Sequence, residues 1–168
     1  MGNQQGIDNP CNFSKDEMKK VLKAFKKIDV NNSGDLDIEE FLKLPELSQN
    51  PLVRRVVSIF DKNNDGSISF EEFVEGLSQL YSNDDEVKLR FAFKVYDIDG
   101  DGFITNGELY DVLKMMVGTN LNEVQLQQLV DRTIIRADDD YDGKISFEEF
   151  KKMVQGLDVA SKLTLTQI

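Results

Sequence analysis

The stretch Asp97-Ile98-Asp99-Gly100-Asp101-Gly102-Phe103-Ile104-Thr105-Asn106-Gly107-Glu108 decides how the rest of the chain is read. Oxygen-bearing side chains fall at loop positions 1, 3, 5 and 9, on Asp97, Asp99, Asp101 and Thr105, and position 12 is Glu108. A hard dication takes six to eight oxygens at roughly 2.3–2.6 Å, and this spacing supplies them from one short loop. Position 7, Phe103, offers its backbone carbonyl, so its side chain is free to be apolar. Gly102 at position 6 permits the sharp turn that wraps the loop. Ile104 at position 8 points away from the ion, where a partner loop can pair with it.

The pattern recurs three times. Loop one, Asp29 to Glu40, offers Asp29, Asn31, Ser33, the Asp35 carbonyl, Asp37 and Glu40, with the turn at Gly34. Loop two, Asp61 to Glu72, offers Asp61, Asn63, Asp65, the Ser67 carbonyl, Ser69 and Glu72 around Gly66. Loop four, Asp138 to Glu149, offers Asp138, Asp140, Asp142, the Lys144 carbonyl, Ser146 and Glu149 around Gly143. One such match alone could be an acidic surface turn; four together read as EF-hand calcium loops. Four Ca²⁺ sites are therefore expected.

Helical periodicity flanks each loop. Ser14 and Glu17 form a capping box ahead of Met18, Val21, Leu22, Phe25 and Ile28, which share one face. Pro45 is expected to cut short the helix leaving loop one, and Pro51 suits the first turn of the next, which carries Val53, Val56, Val57 and Phe60. Ser82 to Glu86 is an acidic run that reads as a linker, a capped helix start, or both. Gly118 ends the helix after loop three, and Asn122 with Gln125 caps the following one. The loop starts, 29, 61, 97 and 138, mark internal repetition of a helix–loop–helix unit. One unit cannot bury its own apolar face, so units one and two, and three and four, should pair. The aliphatic position-8 residues then meet, Leu36 against Ile68 and Ile104 against Ile145. The expected fold is all-α, four EF-hands in two paired lobes, with a short two-stranded β-bridge between the loops of each pair. The expected organisation is an N-terminal arm 1–13, lobes 14–81 and 82–156, and a tail 157–168. In that tail Leu163, Leu165 and Ile168 are set among polar residues, either a weak strand signal or a frayed end.

Composition narrows function. Net charge is −11, which leaves nothing to offset phosphate repulsion and argues against nucleic acid. Fourteen of the 31 Asp and Glu side chains occupy expected ligand positions. The chain has no histidine, no tryptophan and one cysteine, Cys11. Histidine-dependent catalysis, zinc sites and an internal disulfide framework are excluded, a reducing compartment is expected, and the chain is not read as an enzyme. No apolar run reaches the ~20 residues of a membrane span, and a secretory signal is not expected. Gly2 invites N-myristoylation, although Gly6 stands where that signal usually has Ser or Thr. An unmodified tail is the alternative. A single acyl chain would give only weak membrane contact, so the expected location is cytoplasmic with peripheral membrane contact.

The lobes differ in charge. Loops one and two each offer three ligand carboxylates, and loops three and four each offer four. Ligand charge count tunes affinity. The C-terminal pair is therefore expected to stay filled, with at least one N-terminal site exchanging Ca²⁺. Met115, Met116 and Met153 flank the C-terminal loops, and suit either an adaptable groove or core gaps.

The four loops, together with Leu44–Val56 (LPELSQNPLVRRV), Lys88–Leu109, Val112–Leu121 (VLKMMVGTNL) and Gly143–Phe150, resemble calcineurin B, the regulatory subunit family of a Ca²⁺/calmodulin-dependent protein phosphatase. The resemblance implies a heterodimer with the catalytic subunit of calcineurin, one amphipathic helix of which lies in an apolar groove. It also implies a docking surface at Leu113, Met116, Val117, Thr119, Asn120 and Leu121 for substrate docking peptides and immunophilin–drug complexes. Thr119 departs from the Asn expected there. A calcium buffer, or a sensor for another target of the calcineurin-B-homologous kind, is the alternative.

Overall fold

The computed structural model describes residues 13–156. Gly2, most of the N-terminal arm and the 157–168 tail lie outside the described residues.

The chain forms two compact units, residues up to Ser48 with Val53–Lys88, and Gln49–Leu52 with Leu89 onward. The first contains α1 (Lys15–Ile28), β1 (Leu36–Asp37), α2 (Ile38–Leu42), α3 (Pro45–Ser48), α4 (Val53–Phe60), β2 (Ser67–Ile68) and α5 (Phe70–Leu80). α6 (Asp85–Tyr96) crosses the boundary, with its first four residues in the first unit and the rest in the second, which also contains β3 (Phe103–Ile104), α7 (Asn106–Val117), α8 (Glu123–Ala137), β4 (Ile145–Ser146) and α9 (Phe147–Gly156). In each unit two helix–loop–helix hands join through an antiparallel bridge, Leu36 opposite Ile68 and Ile104 opposite Ile145. All four of these side chains are essentially excluded from solvent. The loop pairing is thus fixed by apolar burial as well as by main-chain bonds, at roughly 1.5–3 kcal/mol per buried aliphatic side chain.

Local signals set the helix ends. Glu17 accepts from the Ser14 amide at 2.8 Å and the Ser14 hydroxyl accepts from the Glu17 amide at 3.3 Å, which starts α1 as expected. Asn122 and Gln125 start α8 the same way, at 2.9 and 3.1 Å. Gly118 caps α7 with φ 55°, a conformation open to glycine. The acidic run resolves into a capped start: the Ser82 hydroxyl holds the Asp84 amide, and Asp84 holds that of Glu86. Pro45 stops α2 and itself opens the short α3. Pro51 stands in a turn, and α4 begins at Val53, because the Asn50 side chain takes the Leu52 amide first.

Phenylalanines fill both cores. In the first unit Phe25 packs edge-on against Phe70 and Phe73, at 5.3 and 5.4 Å between ring centroids. In the second, Phe93 meets Phe147 and Phe150 at 5.6 and 5.5 Å. Such pairs contribute about 0.5–1.5 kcal/mol each beyond burial. Met153 packs on the second core, whereas Met115 and Met116 are exposed. α6 carries a second stripe that the sequence reading passed over: Phe91 and Val95 are buried on the side opposite Phe93.

Candidate metal centres

Each loop is wrapped by the same main-chain bonds to its acidic ends. One oxygen of the position-12 glutamate accepts amides from positions 2 and 3. Glu40 takes Val30 and Asn31 at 3.0 and 3.2 Å, and Glu72 takes Lys62 and Asn63 at 3.1 and 3.4 Å. Glu108 takes Ile98 and Asp99 at 2.9 and 3.2 Å, and Glu149 takes Asp139 and Asp140 at 2.8 and 3.3 Å. The position-1 aspartate accepts the amide of the position-6 glycine: Gly34 to Asp29 at 3.1 Å, Gly66 to Asp61 at 3.0 Å, Gly102 to Asp97 at 3.0 Å and Gly143 to Asp138 at 2.8 Å. Those glycines have φ between 83° and 93°, which a side chain would strain.

Positions 9 and 12 do two jobs. Asp37, Ser69 and Thr105 are the N-caps of α2, α5 and α7, each in a reciprocal capping box with the glutamate three residues on. Ser146 and Glu149 exchange the same bonds at 2.8 and 3.3 Å. The loop's last expected ligands are thus also the first turn of the exiting helix, which ties ligand placement to helix direction. The S/T/D-x-x-E spacing in each loop was the available signal for this second role.

The donor set fits a hard dication. The described buried charged side chains are Asp29, Glu40, Asp97 and Glu149, all at loop position 1 or 12. Neutral amides anchor them, which leaves their formal charge for a cation to balance. Carboxylate oxygens of Asp97, Asp99 and Glu108, and separately of Asp138, Asp140 and Asp142, lie within 4.8 Å of one another. Two oxygens on opposite sides of a calcium ion stand about 4.8 Å apart, so these spacings match a shared ion.

Electrostatics separate the two units. Burial raises the Asp97 carboxyl above the usual range, and the charges of Glu108 and Asp101 add to that against the Gly102 and Gly100 amides. For Asp140 the Asp142 amide pulls down, but burial, Asp138 and the charges of Asp142 and Glu149 outweigh it, and its carboxyl is raised. Burial raises Glu108 and Glu149 too, yet the amide and hydroxyl of Thr105 or Ser146, with the loop amides, hold both below the ordinary value. In the first unit alternate ligand positions bond instead of repelling, 3 to 5 in loop two and 5 to 7 in loop one. The Asn63 amide donates to Asp65 at 2.9 Å. The Ser33 hydroxyl donates to the Asp35 carbonyl at 2.7 Å, joining two expected ligands.

The second unit also carries a polar clasp between helices. Asn106 donates to Asp131 at 2.8 Å, and the Gln127 amide donates to Asn106 at 2.9 Å and to Asp131 at 2.8 Å. It fastens the start of α7 to α8. Of the six residues expected to form a docking surface, Leu113, Val117 and Leu121 pack on the core, and Met116, Thr119 and Asn120 are exposed. One backbone feature escaped the sequence reading. Position 4 is left-handed in every loop, at Asn32, Asn64, Gly100 and Tyr141. Asn and Gly advertise this conformation, and Tyr does not.

Among the described residues no helix is long and apolar enough to cross a membrane. The EF-hand domain pair model matches residues 11–78 and again 86–155. The calcineurin B protein of Naegleria gruberi is 58% identical over 155 residues, 92% of this chain and 88% of its own. The type 2 calcineurin B protein of Homo sapiens is 57% identical over 168 residues, 98% of this chain and 99% of its own. The calcineurin B protein of Schizosaccharomyces pombe is 55% identical over 155 residues, 91% of this chain and 88% of its own.

Proposed function

The chain belongs to the calcineurin B family of EF-hand calcium-binding proteins, and from that premise we propose that it is the non-catalytic, calcium-binding regulatory subunit of a serine/threonine protein phosphatase. Four Ca²⁺ would be held by the oxygens at positions 1, 3, 5, 7, 9 and 12 of the four loops. Bound calcium supplies a positive centre that draws these oxygens together. The shared cap-and-ligand residues Asp37, Ser69, Thr105 and Ser146 then convert loop closure into a defined direction of the exiting helix. An apolar groove of the chain would seat an amphipathic helix of the catalytic subunit. Leu113, Met116, Val117, Thr119, Asn120 and Leu121 would form part of a surface shared with that subunit, open to substrate docking peptides and immunophilin–drug complexes. The location would be cytoplasmic, with membrane contact through an acyl chain on Gly2.

The observation that carries the reading is the fourfold repeat of loop hydrogen bonds, in a chain similar to calcineurin B proteins over nearly its whole length. The charge pattern assigns the lobes. In the second, crowded carboxylates gain most from a dication, so its sites stay filled. In the first, Asn63–Asp65 and Ser33–Asp35 are already satisfied by hydrogen bonds, so its sites exchange ions and regulate. The test is reconstitution with a purified calcineurin catalytic chain, followed by size-exclusion chromatography and phosphatase assay with and without calcium. A stable heterodimer with calcium-sensitive activity is expected. A monomer that binds calcium and ignores the catalytic chain would instead be a buffer or a sensor for another target.

A further inference from the structure

The polar clasp of the second lobe lies outside the ligand set, yet it touches both of that lobe's calcium loops. Asn106 is the first residue of α7 and follows the position-9 ligand Thr105. Gln127 and Asp131 stand one turn apart on α8, the helix that leads into Asp138 of loop four. The three side chains close a triangle: Asn106 donates to Asp131 at 2.8 Å, and the Gln127 amide donates to Asn106 at 2.9 Å and to Asp131 at 2.8 Å. The bonds from Asn106 and then Gln127 hold the Asp131 carboxyl below its ordinary value, so they are charge-assisted. Asn106 and Gln127 are half-buried. The first lobe cannot build this triangle. Counted from the loop starts, the matching places hold Ile38, Arg54 and Asn50. Ile38 has no polar group, and Asn50 accepts the Leu52 amide at 2.9 Å instead.

We propose that Asn106 is a positioning residue that couples calcium site three to site four through Gln127 and Asp131, so that the second lobe fills in nearly one step while the sites of the first lobe fill more independently. This rests on the reading of the loops as calcium sites. Asn106 stands between two expected ligands, Thr105 and Glu108, whose capping box forms the first turn of α7. Any movement of that turn that brings Glu108 onto an ion carries Asn106 with it. Hydrogen bonds of 2.8–2.9 Å are lost once the partners separate by about 1 Å more. α7 therefore either draws α8 along, and with it Asp138, or forfeits the triangle. A state with one loop in its filled geometry and the other not is penalised, and that penalty is a coupling free energy between the two sites. The bridge between Ile104 and Ile145 joins the loops ahead of both exiting helices, so it fixes loop register, whereas the triangle fixes one helix to the next. Both lobes have the bridge, and only the second has the triangle.

The test uses the full-length chain carrying Glu40→Gln/Glu72→Gln, which leaves loops three and four as its strong sites, titrated with calcium against a chelating indicator. This parent should bind its second ion about 5-fold or more tighter than independent, equal sites would allow. Asn106→Ala should still bind two ions, with the ratio of the two constants reduced to near that of independent sites. Gln127→Ala should lower the ratio part of the way. Asn106→Asp sets two carboxylates together and should also uncouple the sites, and adding Asp131→Asn puts a donor back opposite the acceptor and should restore the ratio. Circular dichroism confirms that each variant is folded. A purely structural role for the triangle would lower the melting temperature of Asn106→Ala and leave the ratio of constants unchanged, and that result overturns the proposal. Independent filling in the parent overturns it too, as does a swapped pair that stays uncoupled. A parent that binds no calcium at loops three and four would refute the calcium reading itself, and the coupling with it.

Discussion

In the first lobe Phe60, the last residue of α4, lies directly against Gly76 of α5; a Cβ built on Gly76 would come within 2.6 Å of the Phe60 ring. At the matching places in the second lobe stand Ala137 and Met153, both part of that core. Large against small has become small against large. The same exchange occurs in charge. Lys62, second in loop two, pairs with Glu75 on α5. Asp139, second in loop four, pairs with Lys152 on α9 at 2.9 Å. The geometry of an EF-hand pair therefore constrains the sum of two facing side chains, in volume and in charge, more tightly than either one alone. What does not exchange is the ligand set, and there the lobes differ in sign of effect: repulsion among carboxylates in the second, hydrogen bonds from neutral donors in the first.

The strongest way to break this comparison is to remove one position-12 carboxylate from each lobe. Glu149→Gln and Glu72→Gln should each weaken their own site by about 100-fold or more, because ligand charge moves calcium affinity over decades. Their consequences for folding should differ. A site held filled at ~100 times its dissociation constant stabilises the native state by about 2.7 kcal/mol, so Glu149→Gln should forfeit most of that in dilute calcium. Glu72→Gln should remove the weaker, exchanging step from a calorimetric titration and lower the melting temperature far less. Equal losses, or a larger loss from Glu72→Gln, would refute the division into structural and regulatory lobes.

Packing gives the next largest effect. Gly76→Ala forces a methyl into the Phe60 ring and should cost about 1–3 kcal/mol, read from urea unfolding. Phe60→Ala should cost about 3–5 kcal/mol through the cavity it leaves. Importing the second lobe's arrangement as Phe60→Ala/Gly76→Met should recover a large part of that loss, since residues in contact do not behave additively. If the double variant is as poor as the sum of its parts, facing positions are not interchangeable and the volume argument fails.

These exchanges explain which parts of the fold were legible in the sequence. The loops were readable because ligand chemistry fixes residue type at six places within twelve residues. The bridge register followed, since Leu36, Ile68, Ile104 and Ile145 occupy one loop position and had one place to be buried. The start of α4 was misplaced by two residues because the Asn50 side chain competes for the Leu52 amide, a contact that the preference of Pro51 does not reveal. The pairing of Phe60 with Gly76 stayed hidden because each residue is unremarkable until α4 and α5 meet. Phe91 and Val95 are spaced as a helical stripe, but they lie opposite the stripe that leads into loop three, and one face was enough to predict the helix. The overlap of caps with ligands was present as a motif and was masked by the stronger metal reading.

The charge exchange can be sharpened at Lys62. Its pair with Glu75 is exposed, so breaking it should alter stability by less than about 1 kcal/mol. Its charge, however, is attached to the residue beside the position-1 ligand Asp61. Lys62→Ala should tighten calcium binding at site two by a few-fold at low salt, and the gain should vanish near 1 M salt, where screening acts within about 3 Å. Asp139→Ala should do the reverse at site four. The pair of opposite shifts, read by titration of each lobe, is the signature of an electrostatic origin. Shifts of the same sign would mean that the clasp acts by holding the loop in shape.

The smallest effect concerns backbone conformation at position 4. Asn32, Asn64 and Gly100 adopt the left-handed region there at little cost, with φ of 55°, 56° and 73°. Tyr141 adopts it too, at φ 61°, with its ring 90% exposed. A left-handed backbone costs an ordinary residue roughly 1–2 kcal/mol, and Asn distinctly less because its short side chain bonds locally. The exposed ring repays little of that through packing. Tyr141→Asn should therefore stabilise the second lobe by about 0.5 kcal/mol, a rise of about 1–2 °C in melting temperature for a chain of this size. The mirrored change in the first lobe, Asn64→Tyr, should lower it by a similar amount. If Tyr141→Asn destabilises instead, the ring has a partner that solvent exposure in the free chain does not reveal. Repeating the melt with the catalytic chain bound would then show where that partner lies.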